Sequence, residues 1–259
     1  MALMHAHFFS NVLGMCVQAD VILPERTVGQ IGMEGTASDN YPTLYLLHGM
    51  SDDQTIWQRR TSIERYASEK GLAVVMPTTH LAWYTDTQYG MRYWTYISQE
   101  LPEICRSFFK GMSTRREDTF AAGLSMGGYG AFKLGLRASE TFSAVASLSG
   151  GLDVTGLGGR HQERNALFEG IFGDLSKVKG SENDLFYLAE KLKESGKPLP
   201  KMYQWCGTED FLYEDNLKMR DHLRKLGYDL TYEESPGDHQ WKYWDEKIQT
   251  VINWLPIAK

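Results

Sequence analysis

Short, continuous apolar runs alternate along this chain with longer segments whose apolar residues recur every three or four positions. Pro42-Thr43-Leu44-Tyr45-Leu46-Leu47, Leu72 to Met76, Thr119-Phe120-Ala121-Ala122 and Phe142 to Leu148 are runs of the first kind. A strand that is apolar on both faces belongs inside a parallel sheet, covered above and below. Met202 to Cys206 and Leu230 to Glu234 extend the series. Helical spacing runs from Ile56 to Lys70, where Gly71 ends it, from Tyr93 to Phe109 with Pro102 as a kink point, and from Trp241 to Leu255. Residues 8–23 read as a β-hairpin, with Gly14 near the turn and Pro24 closing the second strand. Thr27 to Asn40, polar and containing glycine, reads as a loop. Such alternation predicts an α/β fold, a mostly parallel central sheet with helices on both faces. Gly156 to Gly180 breaks the pattern, being polar and weakly periodic. It reads as part of a small cap-like insertion, about residues 150–182, with a short helix near Ala166-Leu167-Phe168. No repeat, low-complexity tract or linker divides the chain, so one domain over residues 1–259 is expected.

Composition narrows the partners. The 259 residues are 42% hydrophobic and 12% aromatic, suited to a folded enzyme with a real core. A formal charge of -6 offers no basic face for nucleic acid, and no basic run is present to hold an anionic membrane. Met1 to His7 lacks the charged and long apolar regions of a secretory signal, and no apolar run approaches the ~18 residues of a membrane helix. A cytoplasmic location is therefore expected. Cys16, Cys105 and Cys206 are scattered and odd in number, so neither a disulfide framework nor a metal pair is expected.

Chemistry enters at Gly123-Leu124-Ser125-Met126-Gly127-Gly128, between the apolar run at 119–122 and a helical segment beginning near Tyr129. A serine on a glycine-pinched strand-to-helix turn presents its Oγ over the end of the sheet. A hydroxyl is a poor nucleophile at neutral pH without a base, and the base needs an orienting acid. His239, in Ser235-Pro236-Gly237-Asp238-His239-Gln240-Trp241, follows the last expected strand and precedes a helix, where such a base is delivered. Among the other histidines, His5 and His7 form a packed or solvated pair on the first strand. His222 belongs to a solvated helix face, His161 to the polar insertion, His80 beside the site, and His48 to a turn that it props. The acid should lie between serine and histidine, just past a strand. Trp205-Cys206-Gly207-Thr208-Glu209-Asp210 supplies Asp210; Asp238, Asp153, Asp215 and Glu209 are the competitors. Acyl transfer also needs donors for an oxyanion. The Met126 amide, next to the nucleophile, is one, and the Met50 amide, in the glycine turn His48-Gly49-Met50, is the other.

Leu46-Leu47-His48-Gly49-Met50, Gly123 to Ala131, Cys206 to Asp210 and Gly237 to Trp241 together resemble the esterase D family, as does the stretch from Trp83 through Tyr93-Trp94 to Pro102. That family includes S-formylglutathione hydrolases, feruloyl and acetyl xylan esterases and the antigen 85 mycolyltransferases. The likeness is greatest to the tributyrin esterase (EstA) group of Gram-positive cocci. The resemblance implies an α/β-hydrolase fold and a serine carboxylesterase for short acyl esters, with Ser125, Asp210 and His239 as triad and Met50 and Met126 as oxyanion donors. It also implies a homo-oligomer, dimer or tetramer. Ser51-Asp52-Asp53 replaces the threonine-cysteine pair that follows H-G-L in the formylglutathione hydrolases, which argues against formylglutathione as main substrate. The expected partner is a small-molecule ester, with no metal and no organic cofactor. Trp83, Tyr84 and Phe211 are candidate pocket walls, with ordinary core packing as the alternative for each.

Overall fold

The computed structural model describes residues 1–32, 38–157 and 162–257. Eight strands, β1 Ala2–Ser10, β2 Met15–Leu23, β3 Thr43–Leu47, β4 Ala73–Pro77, β5 Thr119–Leu124, β6 Ala144–Leu148, β7 Lys201–Gly207 and β8 Leu230–Ser235, form one sheet in the order β1-β2-β4-β3-β5-β6-β7-β8. β1 and β2 pair antiparallel, as do β2 and β4, and every later pair is parallel. All residues of β3, β4, β5 and β6 are buried, as their unbroken apolar sequences require.

Side chains of alternate sign on the pleat feed two cores. Leu44, Leu46, Val74, Phe120 and Ala122 face α1 Ile56–Arg60, α2 Ile63–Ser68 and the C-terminal helix. Tyr45, Leu47, Val75 and Ala121 face the opposite layer, built on α3 Tyr93–Thr95, α4 Leu101–Phe108 and α5 Met126–Arg137. Further along come α6 Asn165–Phe172, α7 Leu185–Ser195, α8 Tyr213–Lys225 and α9 Trp241–Trp254. α6 is the short helix expected in the insertion. α7 is capped by Asp184, whose carboxylate accepts from the Phe186 and Tyr187 amides, and ends at left-handed Gly196.

Three expectations are corrected. The hairpin's first strand begins at Ala2 rather than residue 8, because backbone pairing to β2 continues through Ala2↔Leu23 along a largely exposed edge. The helix expected over 56–70 breaks in two at Thr61, which is extended; its hydroxyl donates to the Trp57 carbonyl and accepts from the Ile63 amide. The segment from Tyr93 is not one regular α-helix but carries a π-turn, Tyr96–Glu100, just before Pro102, where the Leu101 amide reaches back to the Tyr96 carbonyl. Widening the turn there relieves the clash that a proline ring otherwise makes with the carbonyl four residues earlier. Among the described residues no helix is long and apolar enough to cross a membrane. His161 and Arg160 lie outside the described residues.

Candidate active site

β5 runs straight into α5 through Ser125, whose φ of 54° and ψ of -118° put it in a strained conformation. Two glycines make that bend possible. A Cβ on Gly123 would overlap the backbone of Gly127, and one on Gly127 would lie 2.7 Å from the His48 carbonyl oxygen. The strained residue is pinned from the neighbouring strand end: its amide donates to Leu148 O (3.0 Å) and its carbonyl accepts from Gly151 (3.1 Å).

The structure brings Ser125, His239 and Asp210 into one chain of hydrogen bonds. Ser125 Oγ lies 3.0 Å from His239 Nε2, and His239 Nδ1 lies 2.8 Å from Asp210 Oδ2. Asp210 is inaccessible at its side chain, whereas His239 keeps 20% of its side chain exposed. The other Asp210 oxygen accepts the Leu212 amide at 2.9 Å, which fixes the carboxylate's rotation. Two strand ends converge to set this geometry. Gly207, closing β7, meets the Gly237 backbone so tightly that no side chain fits, and the Glu209 amide donates to Gly237 O (3.0 Å). The His239 ring packs against Phe211 (4.6 Å between centroids) and edge-on against Trp244 (4.8 Å). The competing acids are engaged elsewhere: Glu209 with the Gly237 amide and Thr208, Asp238 with Gln240, Asp153 with Thr155, Asp215 with Lys218.

The two amides expected to receive an oxyanion sit at a helix start and in a loop. Met126 begins α5, where the first N–H groups have no partner within the helix. Met50 follows the β3 turn, half-buried. That turn is held from three sides: Trp57 Nε1 donates to Leu47 O (3.0 Å), Tyr84 Oη to His48 O (2.8 Å), and the Thr79 amide to His48 Nε2 (3.0 Å). With Nε2 accepting, the proton sits on Nδ1 and goes to Gly49 O at 2.7 Å. Burial pulls the His48 pKa down to about 4, partly opposed by that carbonyl, so the ring is neutral. His48 props the loop, as its sequence context suggested.

The expected walls divide. Trp83 is nearly buried in an aromatic group with Tyr129 (5.5 Å), Phe168 (6.2 Å) and Phe172 (6.0 Å) under the insertion. Phe211 is 71% exposed beside His239. Tyr84 is a correction: fully buried, it has no surface to give a substrate and serves instead to hold the His48 carbonyl. His222 is another, since only 19% of its side chain is exposed and its ring lies edge-on to Phe186. His5 bonds Asp20 at 2.8 Å, and His80 is exposed beside the Tyr93 ring. Among the described residues no cluster of three or more His, Cys, Asp or Glu could hold a metal ion. Trp57, Thr79 and Tyr84 are supports that local sequence gave no means of finding.

Comparison with known proteins places this arrangement. The putative esterase family model matches residues 10–255. An acetyl esterase of Caldicellulosiruptor saccharolyticus is 33% identical over 262 residues, with 98% of each chain covered. Among solved structures, the Staphylococcus aureus fluorophosphonate-binding serine hydrolase FphF superimposes with a TM-score of 0.89 at 38% identity, covering 100% of this chain and 99% of that one. The Staphylococcus aureus S-formylglutathione hydrolase FrmB gives a TM-score of 0.84 at 37% identity, with 98% of both chains covered. The architecture is the α/β-hydrolase fold.

Proposed function

The chain belongs to the putative esterase family and is a carboxylic ester hydrolase, and from that premise we propose that it is a serine esterase for short-chain acyl esters, acetyl to butyryl, working through an acyl-enzyme on Ser125. The observation that carries the reading is the unbroken relay from Ser125 Oγ through His239 to buried Asp210. In this reading His239 Nε2 takes the hydroxyl proton as Ser125 Oγ attacks the ester carbonyl. The Met50 and Met126 amides receive the oxyanion; each preorganised donor of this kind is worth roughly 3–4 kcal/mol. His239 then returns the proton to the leaving alcohol. Water, deprotonated by the same imidazole, cleaves the acyl-enzyme. Asp210 keeps the Nδ1 proton in place and stabilises the imidazolium.

The short acyl group is supported by the acetyl esterase relative. A tributyrin-type preference is the finer form of this reading. A second reading, S-formylglutathione hydrolysis, is favoured by the likeness to FrmB. Turnover of p-nitrophenyl acetate, tributyrin and S-formylglutathione by the same preparation separates the two. Ser125→Ala is expected to remove ester turnover and labelling by a fluorophosphonate probe while leaving the fold unchanged by circular dichroism. Undiminished turnover in that variant refutes the nucleophile assignment.

A further inference from the structure

The ester chemistry leaves one buried lysine unused. Lys133 lies on α5 beyond Ser125 and is 0% exposed. Burying a lysine amino group is more costly than burying a methionine of similar length, so its place here calls for a reason. Burial, and then the Arg137 charge, push its pKa well below the usual lysine value, opposed by Asp86 and Glu182. Among the described residues Nζ meets no carboxylate directly, since Asp86 bonds Thr95 and Glu182 bonds Arg137 and Lys191. Nζ finds three neutral acceptors: Asn183 Oδ1 at 2.7 Å, Thr85 Oγ1 at 2.8 Å and Tyr84 O at 3.3 Å. The Trp94 and Tyr129 rings lie 5.3 and 5.4 Å from Nζ.

Those acceptors belong to two segments that frame the site. Trp83 and Tyr84 both occupy the left-handed region, with φ of 49° and 50°, which bulky side chains hold only where their surroundings impose it. Lys133 grips the Tyr84 carbonyl, and Thr85 Oγ1, which it also grips, donates to the Trp83 carbonyl at 2.9 Å. The helix touches this turn closely, since a Cβ on Gly130 would overlap the Tyr84 ring. From the turn, Tyr84 Oη reaches the His48 carbonyl just before Gly49-Met50, and Trp83 stands among the aromatics beneath the insertion. Asn183 follows the insertion and also receives the Tyr129 hydroxyl on its carbonyl at 2.8 Å.

We propose that Lys133 is a positioning residue, whose Nζ fastens the Trp83-Tyr84-Thr85 turn and the Asn183 segment to the helix behind Ser125, fixing both the oxyanion loop and the aromatic cluster around Trp83. This rests on Ser125 as nucleophile and Met50 as oxyanion donor. Lys133→Met deletes the Nζ donors and keeps the bulk of the stem. Rates are expressed per fluorophosphonate-labelled serine, so that unfolded molecules drop out. The expected result is a fall in kcat for p-nitrophenyl acetate of about tenfold or more with KM unchanged within about twofold. The octanoyl-to-acetyl rate ratio rises about threefold as the cluster loosens. Thr85→Val removes one acceptor of Lys133, together with the hydroxyl's own bond to the Trp83 carbonyl, with little change of shape, and is expected to move both quantities the same way by a smaller factor. It carries the test alone if Lys133→Met does not fold. Wild-type kcat and acyl ratio per labelled serine, even with a lowered melting temperature, overturn the positioning role and reduce Lys133 to a stability element. The two ideas fail separately: full turnover in Ser125→Ala removes the nucleophile assignment, and normal per-site turnover in the Lys133 or Thr85 variant removes the positioning role alone.

Discussion

Replacing Asp210 by asparagine tests the relay at its most buried point. The two carboxylate oxygens have different duties: Oδ1 accepts the Leu212 amide at 2.9 Å, and Oδ2 accepts His239 Nδ1 at 2.8 Å. An asparagine there must keep its one oxygen toward Leu212, because an amide nitrogen facing that N–H would set donor against donor in a fully buried place. Its NH2 group then points at His239 Nδ1 and forces the proton onto Nε2. In that tautomer Nε2 donates to Ser125 Oγ, 3.0 Å away, and cannot accept its proton. A wrong tautomer in otherwise intact geometry lowers kcat by about 10⁴, equivalent to roughly 5 kcal/mol of transition-state stabilisation. Initial rates on p-nitrophenyl acetate across pH 6–9, with circular dichroism to verify folding, measure this. Glu209→Gln is the control, since Glu209 is exposed and its side chain bonds the Gly237 amide and Thr208 rather than His239. A loss of less than about tenfold in folded Asp210→Asn, or an equal loss in the control, refutes the tautomer argument.

Other outcomes follow from the same geometry. Gly127→Ala puts a methyl 2.7 Å from the His48 carbonyl, against backbone that cannot swing aside, and should destabilise the protein by about 3 kcal/mol in urea unfolding; an unchanged midpoint would falsify the close approach. His48 is neutral when folded, with its pKa lowered from 6.5 to about 4, so unfolded chains bind a proton first on acidification. Its contribution, about 3 kcal/mol, is therefore present above pH 6.5 and lost as pH falls toward 4. Urea midpoints against pH should fall less steeply in His48→Gln than in wild type, and parallel curves would count against the buried neutral ring. Phe211→Ala removes a ring that is 71% exposed and packed against His239, so kcat/KM on aryl esters should drop a few-fold while stability stays within about 0.5 kcal/mol. A loss of folding in that variant would show the ring to be structural.

What the sequence determined by itself was everything that rests on local order. Gly123-x-Ser125-x-Gly127 between an apolar run and a helix defines the elbow because the crowding that excludes side chains there arises within a few residues and at the adjoining β3 turn. The order of serine, acid and base was legible too, since each follows a parallel strand, and parallel strands deliver their loops to one end of the sheet. Tertiary structure alone decided matters of approach between distant segments. Ser125 and His239 are 114 residues apart, and only the crossing of β7 and β8 loops at Gly207 and Gly237 sets their 3.0 Å separation. The tautomer of His48, the demotion of Tyr84 from wall to support, and the three-way grip of Lys133 depend on which polar atoms meet inside the core. Hydrophobic patterning says which side chains leave water, but it carries no record of the partner that each buried polar group finds there.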